Sequence, residues 1–283
     1  MNDERAHDLE LDDARKTYDF GGAVFDLGAP GDRDIVRFIL SQALYGEATG
    51  VYCGKSLYAA HSLEAAKFYV RQARQELAHL EMFGEIFREL DMTPTAPHWG
   101  LKLLSSHNNY YPLKVLMEHA IGEGMVLHVF QDLLLATLPD NHPGVPSIKK
   151  KLRTICRDES EHVAWGEKEA TRLLQESPWL RTPFQGVLEI QMSVIPYIVG
   201  SLRKRYPDHP VMNQAGDFLN HVQREVGEQA KRLGFAPATN GSRSFRAWCM
   251  ASGTALFLRS QLARSESKLD KTYLSDLGFP DRP

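Results

Sequence analysis

Two stretches of this 283-residue chain place a glutamate and a histidine three residues apart on the apolar side of an expected helix: Glu76-Leu-Ala-His79 and Glu159-Ser-Glu-His162. Positions i and i+3 share a helix face, so each pair can reach one point. Helical spacing surrounds Glu76 with Tyr69, Ala73, Leu80, Phe83 and Phe87, and Glu159 with Leu152, Ile155, Cys156, Val163, Gly166 and Leu173. A helix that packs through such a stripe takes its acids inward. A buried, isolated carboxylate is strongly disfavoured or takes up a proton. The fold must therefore supply something that compensates these groups.

Each pair follows a helix with one carboxylate of its own. Glu47 lies among Leu40, Ala43, Leu44, Gly50, Val51 and Gly54, and Glu123 among Leu116, Ala120, Val126, Leu127, Phe130 and Leu134. The intervals are similar, 29 residues from Glu47 to Glu76 and 36 from Glu123 to Glu159. Four inward carboxylates would be balanced by two cations. Carboxylates with two imidazoles form a mostly hard set that suits iron or manganese better than zinc or copper. Gly46, Gly50 and Gly54 support this, because each costs a helix about 1 kcal/mol against Ala unless close approach or a bound molecule repays it. Glu118 competes with Glu123 but has more polar neighbours. Glu161 shares a wetter face with Arg157, Asp158 and Trp165 and is left out. His119 and His128 flank Glu123; packing or hydrogen bonding is the expectation, and ligation the alternative. The buried-thiol reading fits Cys53 and Cys156.

The rest of the chain reads as one all-α domain, because Val, Ile and Thr never form alternating runs. Helices are expected at 34–58, 62–90, 112–138 and 147–176, with Ser147 as an N-cap, and then at 184–205, 210–233 and 243–268. Residues 1–30 read as an irregular arm, 31–176 as a metal-binding four-helix core, and 177–283 as a helical extension. A Pro-rich crossover spans 91–111, and FAPATNGS (235–242) separates the last two helices. The net charge of −3 comes without a basic stripe, which argues against nucleic acid. Three scattered cysteines give neither a disulfide framework nor a zinc knuckle. The acidic start is unlike a targeting peptide, and no run is long and apolar enough for a membrane span. A cytoplasmic setting is the expectation. Phe184, Met192, Tyr197, Phe218, Trp248 and Phe257 are expected to complete a core or the face of a homodimer rather than line a pocket. His209, His221, Glu225 and Glu228 read as an amphipathic face, with extension of the metal site as the alternative.

These residues resemble the ferritin-like di-iron or di-manganese carboxylate proteins, in which two helices carry an inward Glu and two carry Glu-x-x-His. The resemblance covers about residues 34–176. It implies a four-helix bundle with two iron ions, manganese being the alternative. Glu47 and Glu123 would be terminal ligands, Glu76 and Glu159 bridging ligands, and His79 and His162 would each hold one metal. Asp158, directly before Glu159, is similar to the second-shell Asp of oxygen-activating members, and would accept from the ring of His79. Gln75 occupies the equivalent place for His162. Phe83 stands where the radical-bearing subunit of ribonucleotide reductase has Tyr. Ala78 and Glu161 stand where the hydrocarbon hydroxylases and acyl-carrier desaturases favour Arg, and Leu127 where those hydroxylases have Thr.

The resemblance therefore implies a stand-alone di-iron oxidase or monooxygenase that uses O₂ on a small organic substrate by hydroxylation, N-oxygenation, desaturation or C–C cleavage. No flavin or NAD motif is present, so electrons are expected from an external donor or from the substrate. The alternatives are a ferroxidase or metal-storage protein, a manganese catalase, and a helical interaction protein with coincidental acids.

Overall fold

The computed structural model describes residues 17–104, 110–234 and 243–262, and among them there is helix and no strand. α1 is Pro30–Gly50, with proline in its first turn, where the missing N–H is no loss. It tightens into a 3₁₀ segment, Val51–Ala59. α2 is Leu63–Glu89, and Ser62 caps it by accepting from the Ala65 N–H at 3.1 Å. Such a cap contributes about 1 kcal/mol. The crossover includes the short α3, Trp99–Leu104, and is tied back to α1. There Thr95 N–H donates to Ser41 Oγ at 2.9 Å and His98 N–H to Gln42 Oε1 at 2.7 Å.

The third long helix, α4, changes pitch along its length. It runs as α-helix over Tyr111–Lys114, π-helix over Val115–Gly122, α-helix over Glu123–Leu127, π-helix over His128–Leu134 and α-helix over Leu135–Thr137. α5 is Val145–Glu176. The extension holds α6 (Arg181–Arg205), α7 (Pro210–Asn213), α8 (Ala215–Arg232) and α9 (Arg243–Leu262). No described helix is long and apolar enough to cross a membrane.

α1 packs on α2, α2 on α5, and α5 on α4. Phe83, Ile86, Leu116, Phe130, Leu152 and Ile155 are fully buried between them. Each such side chain contributes roughly 1.5–3 kcal/mol of burial. The extension closes over α4, where Gln191 Nε2 donates to the Met117 carbonyl at 3.2 Å and Gln229 Nε2 donates to that of Ala120.

One expectation needs correction and two gain detail. Ser147 is not an N-cap: α5 begins at Val145, and the Ser147 hydroxyl instead bonds Glu89 Oε1 at 3.1 Å and Lys151 Nζ at 2.8 Å. The described part of the arm, 17–29, is irregular but packed in, with Phe20, Phe25 and Leu27 buried and Phe25 N–H bonded to the Thr137 carbonyl at 2.8 Å. Phe184 and Phe218 are buried as expected, yet Phe218 also faces a cavity, while Tyr197 and Trp248 are exposed. Residues 1–16, the 235–242 connection and everything beyond 262 lie outside the described residues.

Candidate metal centre

The four helices α1, α2, α4 and α5 bring Glu47, Glu76, His79, Glu123, Glu159 and His162 into one buried cluster, none more than 8% exposed. The cluster has two overlapping halves. Donor atoms of Glu47, Glu76, His79 and Glu159 lie within 4.8 Å of one another, and so do those of Glu76, Glu123, Glu159 and His162. Glu76 and Glu159 belong to both.

Both imidazoles turn Nδ1 inward. His79 Nδ1 lies 2.9 Å from Glu47 Oε2, 3.3 Å from Glu159 Oε1 and 3.9 Å from Glu76 Oε2. His162 Nδ1 lies 3.5 Å from Glu159 Oε2, 3.7 Å from Glu76 Oε1 and 3.9 Å from Glu123 Oε1. The outer nitrogens are held from behind. His79 Nε2 meets Asp158 Oδ2 at 3.3 Å, and His162 Nε2 meets Gln75 Oε1 at 3.0 Å. Arg157 in turn donates to Asp158 Oδ1 at 3.1 and 3.2 Å. A ring whose Nε2–H is held this way would present its Nδ1 lone pair to a cation once any proton on Nδ1 has left, as a metal ligand must.

Glycines make the approach possible. A Cβ on Gly50 would stand 2.6 Å from Glu76 Oε2, and one on Gly166 would stand 2.6 Å from the Ala120 amide nitrogen and the His119 carbonyl carbon. Gly50 thus clears space for a carboxylate, and Gly166 lets α5 press on the backbone of α4. Gly54 has no close neighbour, so its presence has no such reason, while Gly46 borders the cavity described below.

The metal-free electrostatics are strained. Burial, then the charge of Glu159, raises Glu76 and Glu123 well above the usual carboxylate range. Burial also raises Glu47, against a hydrogen bond with His79. Burial would raise Glu159, but the His162 and His79 imidazoles beside it outweigh this and lower it. Burial disfavours a charged His79, but the carboxylates of Asp158, Glu159 and Glu47 around it outweigh this and push it up to about 11. Asp158 is lowered, because His79 and Arg157 together overcome its burial. Glu123 Oε2, Glu159 Oε1 and His162 Nδ1 are buried without a hydrogen bond. Orphaned inward donors of this kind, on a set of four carboxylates and two imidazoles, fit two divalent cations.

The neighbouring candidates sort themselves. Glu118 turns away to Lys114 Nζ at 2.8 Å, although it can group with His119 and Glu123. His119 is fully buried and stands 3.1 Å from Glu123 Oε1; burial pushes its ring well below the usual range, so it is neutral. His128 belongs elsewhere, in a separate buried group with Asp132 and His221. His128 Nδ1 is 2.6 Å and His221 Nε2 3.6 Å from Asp132 Oδ2. His209 caps α7, and Glu228 pairs with Lys231 on the exposed face of α8. Cys53 is buried, which pushes its thiol up to about 12.

Sequence reasoning missed Gln72. Its Nε2 donates to Glu123 Oε1 at 2.7 Å and lies 3.2 Å from His119 Nδ1. The signal was present, because Gln72 precedes Glu76 by one turn on the same face. Beside the cluster lies a cavity of about 370 Å³, bordered by Glu47, Glu76, Glu123 and Glu159 and walled largely by apolar side chains. Comparison with family models, curated proteins and solved structures found no match to this chain.

Proposed function

We propose that this chain is a ferritin-like di-metal carboxylate protein, a four-helix bundle of α1, α2, α4 and α5 with added C-terminal helices, and that it oxidises a small organic substrate with O₂. The observation that carries this is the pair of overlapping donor sets that share Glu76 and Glu159, with both imidazole Nδ1 atoms turned inward. Glu47 and His79 would hold one metal, Glu123 and His162 the other, and Glu76 and Glu159 both. Two redox-active metals held there would supply the activation of O₂, with iron the first choice and manganese the second.

The chain's own residues do the remaining work. Asp158 and Gln75 fix the tautomers and ring orientations of His79 and His162. Gln72 and His119 hold the Glu123 carboxylate, and Gln72 Nε2 also reaches Glu76 Oε1 at 3.5 Å. Phe68 stacks on Trp165 with ring centroids 3.8 Å apart and meets His119 and His162 edge-on, closing one side of the cluster against water. Inserting one oxygen atom while the other leaves as water needs an electron pair from outside, so a separate reductase or the substrate itself provides it.

The cavity favours oxidation of an organic molecule over storage, because a chamber walled by apolar side chains has no use for a mineral cargo. The test is anaerobic reconstitution with ferrous iron followed by O₂. Two irons per chain, O₂ uptake that depends on an added organic molecule, and label from O₂ in its product support the reading. Continued iron uptake into particles, without dependence on an organic molecule, would replace it with the ferroxidase reading.

A further inference from the structure

The cavity does more than touch the carboxylates. Its lining follows α1 from Phe38 to Gly50, roughly 18 Å of helix axis. Ile39 and Ala43 of α1, Val126 and Val129 of α4, and Ile195 and Val199 of α6 form its walls away from the cluster. The extension therefore completes the chamber, which the core helices alone would leave open on the α6 side. Most polar groups along it are already engaged. Gln42 uses its amide on the Phe38 carbonyl and the His98 N–H, and Lys114 pairs with Glu118.

Besides carboxylate oxygens of Glu118, Glu123 and Glu159, one buried polar atom of the described lining is not engaged. Gln191 lines the cavity at 3% exposure, and its Oε1 is buried without a donor. Its Nε2 is committed to the Met117 carbonyl, which fixes the amide's orientation. That carbonyl would stand 2.5 Å from a Cβ on Gly122, the residue directly before Glu123. The orphaned acceptor thus sits at the carboxylate end of the chamber. A buried acceptor without a donor is disfavoured, and a ligand O–H or N–H would relieve it.

We propose that the chamber seats an extended aliphatic substrate with an O–H or N–H at one end. The donor rests on Gln191 Oε1 beside the carboxylate cluster, and the chain lies between α1, α4 and α6. This deepens the metal reading above and rests on it.

The experiment is isothermal titration of metal-free and zinc-loaded protein with butanol, hexanol, octanol and decanol, with zinc content measured on the same samples. Butylamine and octylamine form a second arm that separates an amine head from a hydroxyl, and pyrenemethanol supplies a rigid ring system. Binding should tighten by about fourfold for each added methylene. Ile195→Trp should weaken decanol by about fourfold for each methylene it displaces and leave butanol unchanged. Val199→Phe serves the same purpose should that variant fail to fold. Gln191→Leu should weaken every alkanol by roughly three- to tenfold and leave the dependence on chain length intact. Zinc uptake with no alkanol or alkylamine binding, affinity independent of chain length, or tighter binding of pyrenemethanol than of decanol would overturn the proposal. Chain binding without zinc uptake would instead overturn the metal reading.

Discussion

The two halves of the cluster carry the same donors but support them differently. His79 is backed by a carboxylate, Asp158, itself held by Arg157. His162 is backed by a neutral amide, Gln75. On the carboxylate side the contrast reverses. Glu47 meets His79 and its fellow ligand Glu76, whereas Glu123 is steadied from outside the six by Gln72 and stands beside His119. An anionic partner behind a histidine makes its ring a stronger base and a stronger ligand, and an amide orients without adding charge. Two sites alike in sequence pattern should therefore bind metal unequally, with the His79 side the tighter.

The largest effect should come from removing what the halves share. Glu159→Ala should lower metal affinity by more than about a hundredfold at both sites, beyond what loss of a supporting residue produces. Glu47→Ala should lose one metal and keep the other. Elemental analysis of the two reconstituted variants separates these outcomes, and equal losses would break the division into halves.

A pH series comes next. Glu47, Glu76 and Glu123 are raised in the metal-free fold, and His79 is raised to about 11. Groups raised above their unfolded values contribute stability at low pH and lose it as pH rises through the folded value. Metal-free protein should therefore lose stability progressively as pH rises above the usual carboxylate range and on towards about 11, where His79 gives up its proton, and metal should restore it by displacing those protons. With one net proton released, apparent affinity should rise by about tenfold per pH unit. Calorimetry in buffers of different ionisation enthalpy counts the protons directly, and no release would contradict the charge state derived for the cluster.

The supports themselves test the asymmetry. Asp158→Asn should cost the His79 site about 10- to 100-fold in affinity, and Gln75→Leu should cost the His162 site less. Competition with a chelator, using cobalt as a spectroscopic probe, resolves the two sites, and equal losses would contradict the unequal backing. The smallest contrast lies between the glycines. Gly166→Ala drives a Cβ into the backbone of α4 and should cost about 1–3 kcal/mol in stability. Gly50→Ala meets only the end of Glu76, which can turn, so it should disturb metal binding more than stability. Thermal melts of metal-free and loaded variants check both.

How much of this was legible beforehand depends on the physics behind each feature. Glu-x-x-His on an apolar stripe fixes two donors on one face, so the two pairs could be chosen from spacing, while the polarity of the neighbouring residues selects Glu123 over Glu118. The places of Asp158 and Gln75 came with the family pattern. Helix boundaries followed hydrophobic period and proline within a few residues. The π-helical turns of α4 were not legible, because an extra residue in a turn leaves no mark on an averaged 3.6-residue period. The first contains Glu118 and ends just before Glu123, and the second begins at His128, so the destination of His128 in a group with Asp132 and His221 could not be read either. Nor could the cavity, because half-buried Ile39, Ile195 and Val199 look like core residues in a sequence. Ser147 was misread for a related reason, since its partner, Glu89, is distant in the chain.

The most direct measurement is the metal content and ligand identity of protein loaded anaerobically with ferrous iron, read by elemental analysis and anomalous diffraction from one crystal form. The account expects two irons per chain, one between Glu47 and His79 and one between Glu123 and His162, with Glu76 and Glu159 touching both. A chain that takes up no iron, or takes it up only at His128, Asp132 and His221, would contradict it.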